Sequence, residues 1–346
     1  MFVNPRNNIM RKLLFCLSLA GMIYSLPTLA QIDSIPENRL NEVILQSARI
    51  DIPLIEDYKT VHIITARTLQ QWNITSTVQA LERITGVDVR QRGLFGVQGD
   101  LQIRGGGFEQ TLLLIDGIKL DDPQTGHHTL NFMIPLEIIE RIEVIKGPSG
   151  RIFGQNAFTG AINFITKTST QKSTMAEIEL GNYNRRKIST KFERQGILFY
   201  GDFHTSDGYR YNSDFKIQDY FLKASVGHSK KVPIDFISMF SSKDFGANGF
   251  YATPEATDQY EETQASLIAF NSTISTQKWT LKPKLFWRKH QDIYLFVRDN
   301  PEIYRNLHIS NKIGVALDTS FHSIIGSTGI GVNITKVFLA SNNLGD

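Results

Sequence analysis

The feature of the sequence that most constrains its fold is a period-two alternation of apolar and polar residues, which begins near Thr174 and continues to the end of the chain. Successive side chains of a β-strand point to opposite faces, so the alternation predicts strands with one apolar and one polar face. Residues 187–193 and 282–290 show it clearly. We count about eight or nine such strands, many of them about ten residues long, the length at which a tilted strand crosses a bilayer.

Aromatic residues cluster near the ends of these predicted strands, as Phe199, Tyr200 and Phe203 do. That placement fits the aromatic girdles of a transmembrane β-barrel. Lipid offers no hydrogen-bond partner to an open strand edge, so strands that face lipid must close into a barrel. A soluble β-sandwich or β-helix is the alternative that the alternation leaves open.

Residues 58–168 follow a different pattern, that of a small mixed α/β domain rich in glycine. We predict a helix over residues 73–84, capped by Thr75 or Ser76, and a hairpin turn at Asp116-Gly117. Pro135 is predicted to open a short helix with Leu136, Ile139 and Ile142 on its buried side. The predicted strands are 61–64, 87–89, 101–104, 111–115, 142–146 and 161–166. A barrel that encloses such a domain needs about 22 strands.

The first 30 residues are predicted to be a secretory signal peptide. Arg11 and Lys12 end a basic segment, an apolar run covers residues 13–23, and small residues precede a cleavage site at Gln31. The run is too short to span a bilayer, and a buried helix is the alternative. Cleavage would remove Cys16, so the exported chain would have no cysteine with which to form a disulfide.

Charge and residue spacing argue against two classes of function. The formal net charge is +3, and removing Arg6, Arg11 and Lys12 of the signal leaves 34 basic and 34 acidic residues. A nucleic-acid-binding protein would show a basic excess. A surface enzyme is disfavoured because no Ser, His and Asp arrangement stands out, and Asp121-Asp122 lies in a loop pattern with no partner base.

Residues 31–57 are largely polar and contain one apolar, partly β-branched segment at residues 40–49. The segment stands alone, without a neighbouring strand in the sequence. Two roles are open for it: an ordinary edge strand, or a segment that adds a strand to the sheet of another protein.

Several motifs follow one another between residues 77 and 166. They are Thr77-Val78-Gln79-Ala80-Leu81 with Ile84-Thr85-Gly86-Val87, Ile103-Arg104-Gly105, Leu114-Ile115-Asp116-Gly117, and Ile139-Glu140-Arg141-Ile142-Glu143-Val144-Ile145-Lys146-Gly147-Pro148 with Gly160-Ala161-Ile162-Asn163. Their order and spacing resemble the plug domain of TonB-dependent outer-membrane receptors, with Thr85 at a position where proline is usual.

The resemblance implies a fold class and a domain order. We expect a signal peptide at residues 1–30, a periplasmic segment at 31–57, a small α/β plug domain at 58–173, and the N-terminal part of an antiparallel transmembrane β-barrel at 174–346. The implied location is the outer membrane of a Gram-negative bacterium, with lipid around the barrel. Because about eight or nine of about 22 strands would be present, we interpret the chain as a fragment with a complete plug and a partial barrel.

The segment Glu42-Val43-Ile44-Leu45-Gln46-Ser47 looks like the TonB box of this family. In the family this segment pairs as a strand with TonB, which an inner-membrane complex energises. The resemblance therefore implies active transport without catalysis, with TonB as a partner. A passive adhesion or structural barrel, in which the segment is an ordinary edge strand, is the alternative.

Two sets of plug residues are predicted to have a role. The first matches family motif positions and is expected to hold the plug together or to bind it to the barrel: Arg104, Gly105, Asp116, Gly117, Glu143, Lys146, Gly147, Gly154 and Asn163. The second lies in two polar loops and is expected to contact a ligand: Arg90, Arg92, Phe95, Gln98, Asp122, Gln124, His127 and His128. Solvated loops without a ligand are the alternative for the second set.

Residues 206–215 and 243–251 look like extracellular loops of the vitamin B12 receptor branch of the family. This resemblance favours cobalamin or a related corrinoid as the small-molecule ligand, with a ferric siderophore as the alternative. Asp207 and Asp214 would supply oxygen ligands if these loops bind a structural calcium ion, and hydrated surface loops are the other interpretation. No other cofactor is expected, and a surface lipoprotein is a further candidate partner.

Overall fold

A computed structural model describes residues 60–132, 134–227 and 232–344 of the 346-residue chain. The predicted signal peptide and residues 42–47, the predicted TonB box, lie outside the described residues. Within the described ranges, no helix has both the length and the hydropathy that a bilayer-spanning helix needs.

The first described region, residues 60–166, forms the predicted α/β domain, which we call the plug. Its strands are β1 (Thr60–Thr65), β2 (Val87–Arg92), β3 (Gln98–Ile103), β4 (Thr111–Ile115), β5 (Ile118–Lys119), β6 (Ile139–Lys146) and β7 (Gly160–Thr166). Its helices are α1 (Ala66–Gln71), α2 (Thr77–Glu82) and α3 (Gly150–Phe153). Five strands form a sheet in the order β1-β6-β7-β4-β5, in which β4 and β7 run parallel, while β2 and β3 form a separate antiparallel pair.

All six predicted plug strands are confirmed, several with longer bounds. The predicted helix over residues 73–84 is present as the shorter α2, and the Ser76 side chain caps it by accepting a hydrogen bond from the Gln79 amide. The helix predicted after Pro135 is wrong: only a 3₁₀ turn, Leu136–Ile138, is present. Ile139 and Ile142 belong to β6 instead, because β6 pairs along its length with β7 and β-branched residues suit a sheet.

The predicted hairpin turn at Asp116-Gly117 joins β4 to β5. Both residues have positive φ, 46° and 78°, and Ile115 pairs with Ile118 across the turn. The Asp116 carboxylate accepts hydrogen bonds from the Thr166 amide and hydroxyl at 2.9 and 2.6 Å, so the turn is fixed to the end of β7. The Gly117 amide donates to Asn163 Oδ1 at 3.0 Å.

Other residues of the motif set also make contacts inside the plug. Lys146 Nζ donates to the Thr85 carbonyl at 2.6 Å, and the fully buried Glu143 carboxylate pairs with Arg141 at 3.0 Å. A tight turn follows β3, where Arg104 and Gly105 both have positive φ. Gly147 and Gly154 also adopt positive φ, at either end of the segment that contains α3.

The second region is an antiparallel sheet, which we call the wall. Its strands are β8 (Ser173–Gly181), β9 (Arg185–Arg194), β10 (Ile197–Ser206), β11 (Phe215–Val226), β12 (Ile234–Gly246), β13 (Tyr260–Ser272), β14 (Ile274–Ser275), β15 (Trp279–Leu295), β16 (Arg305–Ser323) and β17 (Gly326–Ser341). Consecutive long strands pair with each other, and the two-residue β14 pairs with β15. Nine long strands agree with the about eight or nine that the alternation predicts.

The two faces of the wall differ in burial. Tyr200, Phe221, Lys243 and Arg288 on the inner face are less than 2% exposed, because the plug packs against them. Ile188, Phe270, Val315 and Ile334 on the outer face are all more than 40% exposed. One hydrophobic cluster contains plug residues such as Ile142 and wall residues such as Phe286, so plug and wall share a core. This is the arrangement that period two requires: apolar side chains outward, and a mixed polar face toward the plug.

The two ends of the wall are also different. Residues 207–214, 247–259 and 296–304 form long connections at one end, which we call the long-loop end. Residues 195–196 and 324–325 form two-residue turns at the opposite, short-turn end. In outer-membrane barrels the long loops are extracellular and the short turns periplasmic.

Candidate ligand site between plug and wall

A cavity of about 320 Å³ lies at the long-loop end, where the plug meets the wall. Residues of both parts line it: Gln98, Gln124, Thr125, His127 and His128 from the plug, and Tyr251, Glu261, Asp292, Tyr294, Tyr304, Asn306 and His308 from the wall. Its volume lies within the usual range for small-molecule sites, and aromatic and hydrogen-bonding groups converge on it.

Local hydrogen bonds fix the plug loop that supplies four of the five plug residues at the cavity. Asp122 Oδ1 accepts from the Gln124 amide at 2.9 Å, a compact turn stabilised by an aspartate side chain. Thr125 Oγ1 then caps a 3₁₀ turn, Gly126–His128, by accepting from the His127 amide at 3.3 Å. The two consecutive histidines consequently have different surroundings.

His127 takes part in a chain of contacts from the plug to a wall loop. Its Nδ1 lies 2.6 Å from Asp100 Oδ1, and its ring lies 4.1 Å from that of Phe108. Asp100 also pairs with Arg92 at 3.3 Å, and Arg92 donates to the Phe250 carbonyl at 3.0 Å. A ligand that displaces His127 would therefore disturb a plug–wall contact.

His128 is buried between two carboxylates of the wall. Its Nδ1 lies 3.9 Å from Glu261 Oε1, and its Nε2 lies 3.8 Å from Asp292 Oδ2. The side-chain amide nitrogen of Asn131 contacts Nδ1 at 3.0 Å and holds the ring plane. Burial, reinforced by the neighbouring His290, holds the pKa of His128 well below its usual value, so the imidazole is neutral at pH 7.

Tyr251, in the wall connection 247–259, lies on one side of the cavity. Its hydroxyl hydrogen-bonds to the Glu261 carboxylate and accepts a hydrogen bond from the Gln98 side-chain amide. Burial and the adjacent Glu261 carboxylate hold the pKa of Tyr251 well above its usual value, so the phenol stays protonated and able to donate.

The structure brings together four of the eight predicted ligand residues: Gln98, Gln124, His127 and His128. Arg92 stands behind the cavity, with its guanidinium 5.5 Å from the Tyr251 ring. Arg90 is exposed and pairs with Asp88 at 3.2 Å. Phe95 packs against His204 and Phe215, in a second cavity between the plug and β10.

Asp121 and Asp122, which the sequence leaves without a partner base, each form an ion pair with a different wall strand. Asp122 accepts from Arg288 of β15 at 2.7 Å, and Asp121 accepts from Lys312 of β16 at 2.6 Å. Burial alone would raise the pKa of Asp122, but the Arg288 charge and the His290 ring, whose Nδ1 lies 3.2 Å from Asp122 Oδ2, hold it well below its usual value. Asp122 therefore binds the wall as a carboxylate.

The two aspartates considered for calcium have protein partners. Both oxygens of Asp214 accept from the guanidinium of Arg298, at 2.6 and 2.9 Å, a bidentate pair. Asp207 Oδ1 accepts from the Asn184 amide at 3.4 Å. The Asp214 carboxylate stabilises the contact between loops 207–214 and 296–304.

Three ionisable residues at the cavity were not predicted from the sequence: Glu261, Asp292 and His308. All three lie on inner-face positions near the long-loop ends of their strands. The period-two alternation indicates that they share a face with other polar residues. An ionisable residue on the buried face of a strand is a candidate site residue, so this signal could have identified them. Which plug loop they meet depends on contacts between residues far apart in the chain.

Comparison with known proteins identifies the plug. Residues 53–161 match a family model described as the TonB-dependent Receptor Plug Domain. The vitamin B12 transporter BtuB of Vibrio vulnificus (strain CMCP6) is 29% identical over 256 residues, which cover 73% of this chain and 41% of the relative. BtuB of Vibrio cholerae serotype O1 (strain M66-2) is 29% identical over 181 residues, 52% of this chain and 29% of the relative. The chain thus spans less than half the length of these relatives.

Solved structures share the fold of both regions. The siderophore receptor PiuA from Acinetobacter baumannii has a TM-score of 0.64 at 14% identity, over 87% of this chain and 48% of that one. The ferric citrate transporter FecA in its unliganded form has a TM-score of 0.67 at 15% identity, over 87% and 51%. The family is one of transporters and receptors, not a class of enzymes. With residues 53–161 matched by the plug-domain model and its strands in the same arrangement as in these structures, the chain is similar to TonB-dependent receptors and has their plug domain.

Proposed function

We propose that the chain binds cobalamin or a related corrinoid at its long-loop end and acts in TonB-dependent transport of this ligand across the outer membrane. The observation that carries the proposal is the cavity that plug and wall line together. A ligand there touches both parts, so its binding energy can change the contacts between them. That is the property a ligand-gated plug needs, because a ligand shifts an equilibrium only through different contacts in the two states.

The plug is bound to the wall by ion pairs that transport would have to break or rearrange. Asp121 pairs with Lys312, Asp122 with Arg288, and the Asp116 carboxylate lies 3.4 Å from Lys223 on β11. We propose that residues 42–47 act as the TonB box and pair as a strand with TonB. Force applied there, upstream of β1, would act on a plug held at these three wall strands.

The vitamin B12 transporters among the sequence relatives support cobalamin as the substrate. Solved structures with the same fold are described as siderophore and ferric citrate receptors, which supports a ferric siderophore as the second candidate. Calcium binding by Asp207 and Asp214 gives less support to the B12 branch than the sequence relatives do, because Asp214 already pairs with Arg298.

Binding of labelled ligands to whole cells that express the chain separates the two substrates. We expect saturable binding of labelled cobalamin, which excess unlabelled cobalamin displaces and ferric siderophores leave in place. Binding of a ferric siderophore without binding of cobalamin would reject the corrinoid proposal and support the second candidate.

The outer face of the wall supports lipid as a partner. Ile268, Leu285, Ile313 and Leu317 are all more than a third exposed on that face, which suits a hydrocarbon environment. A surface lipoprotein over the long-loop end stays a prediction from the resemblance.

A further inference from the structure

Three buried side chains at the cavity have the composition of a metal site. His128 comes from the plug, Glu261 from β13 and Asp292 from β15. One nitrogen of His128 and one oxygen of each carboxylate lie within 4.8 Å of one another, and each residue is 5% exposed or less. Two carboxylates brought this close in a buried site repel each other unless a proton or a cation lies between them.

A second observation points to a missing partner at the same place. Five polar atoms around the cavity have no hydrogen-bond partner among the described residues: Gln98 Oε1, Gln124 Oε1, Asp292 Oδ1, Asn306 Oδ1 and His308 Nδ1. Four of them are oxygen acceptors, and buried polar atoms normally have partners. Gln98, Asp292 and His308 are all at least nine-tenths buried. A cavity lined by so many unpaired acceptors is suited to a cation.

We propose that His128, Glu261 and Asp292 bind a divalent first-row transition-metal ion such as Zn²⁺ at the junction of plug and wall. Imidazole nitrogen and carboxylate oxygen are the donors that such ions take in proteins. His128 would bind the ion through Nε2, which lies 3.8 Å from Asp292 Oδ2, because the side-chain amide of Asn131 occupies the Nδ1 edge of the ring at 3.0 Å.

The distances fit an ion after an adjustment of the side chains. With one nitrogen of His128 and one oxygen of each carboxylate, the three ligand atoms lie within 4.8 Å of one another. Ligand atoms about 2.1 Å from a tetrahedral zinc ion lie about 3.4 Å apart, so the side chains need to approach by up to about 1.4 Å. Asn306 and Gln124 lie on the same cavity and offer an oxygen for a further position.

The site would connect parts of the chain that are far apart in sequence. His128 belongs to the plug, whereas Glu261 and Asp292 belong to two wall strands, so an ion bound by all three links the plug to the wall near its long-loop end. The inference does not depend on the transport proposal, because metal binding is measured without ligand, TonB or uptake.

Titration of the detergent-solubilised chain with Co²⁺, followed by visible absorption and by competition with Zn²⁺, tests the proposal. We expect one equivalent of Co²⁺ per chain, displaced by Zn²⁺, and a rise in unfolding temperature on Zn²⁺ addition. Loss of an outer-shell partner weakens metal affinity by about 10- to 100-fold, and loss of a direct ligand should cost at least the upper figure. We therefore expect a decrease in Co²⁺ affinity of about 100-fold or more for each of three variants: His128→Asn, Glu261→Gln and Asp292→Asn.

Two matched variants serve as controls. Glu262→Gln removes the carboxylate next to Glu261 on the opposite face of β13, and His322→Asn removes a histidine at the short-turn end of β16. Both should bind Co²⁺ like the unaltered chain. The proposal is overturned if the unaltered chain shows no stoichiometric Co²⁺ spectrum, or if the control variants lose binding to the same extent as the three ligand variants.

Discussion

Asp122 of the plug and Arg288 of the wall form an ion pair of 2.7 Å whose side chains are 0% and 1% exposed. Their residues are far apart in sequence, one in a plug loop and the other in the middle of β15. A buried pair of this kind gives little net stability over an apolar pair, but the loss of one member leaves an uncompensated charge. We therefore expect the pair to matter mainly through the cost of losing one member.

Removing the carboxylate should destabilise the chain strongly. We expect Asp122→Asn to lower the free energy of unfolding by about 3–5 kcal/mol, because Arg288 then stays buried without its counter-charge. Asp88→Asn, which removes an exposed partner of Arg90, should cost about 1 kcal/mol or less. Denaturant unfolding in detergent measures both, and equal losses would show that Asp122 does not hold the plug.

The same pair predicts a dependence on pH. The pKa of Asp122 is well below its ordinary value of 3.8, so the unfolded chain takes up the proton first as the pH falls. The stability from this group is fully present above pH 3.8 or so and is lost as the pH falls through the lower folded pKa. The difference in unfolding free energy between the unaltered chain and Asp122→Asn should be constant from pH 7 to 5 and shrink below about pH 4. A difference that shrinks between pH 7 and 5 would contradict this assignment.

Gly160, at the start of β7, is a position where the plug leaves no room for a side chain. A Cβ there would overlap the carbonyl oxygen of Ile145 on the paired strand β6 and would crowd Ile103. We expect Gly160→Ala to destabilise the plug by about 1–3 kcal/mol through overpacking. Gly107→Ala is the control, since a Cβ there meets nothing within 4 Å and φ is −68°. Gly107→Ala should be neutral or stabilising by up to about 1 kcal/mol. Thermal unfolding measures both variants, and equal unfolding temperatures would contradict the prediction of a close contact at Gly160.

Tyr304 tests whether the cavity at the long-loop end binds the ligand. It lines the cavity and is 46% exposed, whereas Tyr220 on the outer face of β11 is 44% exposed and lies away from it. Aromatic residues in a binding site commonly contribute about 2 kcal/mol, so Tyr304→Ala should reduce cobalamin affinity on whole cells by about 30-fold. Tyr220→Ala should leave the affinity unchanged. A loss of affinity in Tyr220→Ala but not in Tyr304→Ala would show that the ligand does not bind in this cavity.

The parts of the fold that the sequence predicts are those set by local patterns. The alternation predicts the wall strands because one face meets the plug, and Asp116-Gly117 predicts its turn because both residues adopt positive φ. The prediction of a helix after Pro135 is wrong, because the pairing of β6 with β7 outweighs the local preference of Pro135 for the first position of a helix. Helix α1 is absent from the prediction, although Thr65 caps it.

In the candidate site, the sequence predicts the plug loop but not the wall residues that face it. The loop with Gln124, His127 and His128 is recognisable from its turn-forming and polar residues. Period two assigns Glu261 and Asp292 to the inner face, but strand pairing over long sequence distances decides that they meet His128. The partners of Asp121 and Asp122 were missed for the same reason.

Deletion of residues 42–47, the proposed TonB box, tests TonB-dependent transport. Labelled cobalamin is followed in two measurements on the same cells, binding at the surface and accumulation inside, with deletion of residues 33–38 from the preceding polar stretch as the control. We expect the 42–47 deletion to abolish accumulation and to leave surface binding intact, whereas the control deletion changes neither. Accumulation that continues unchanged without residues 42–47 would contradict TonB-dependent transport and favour a passive barrel.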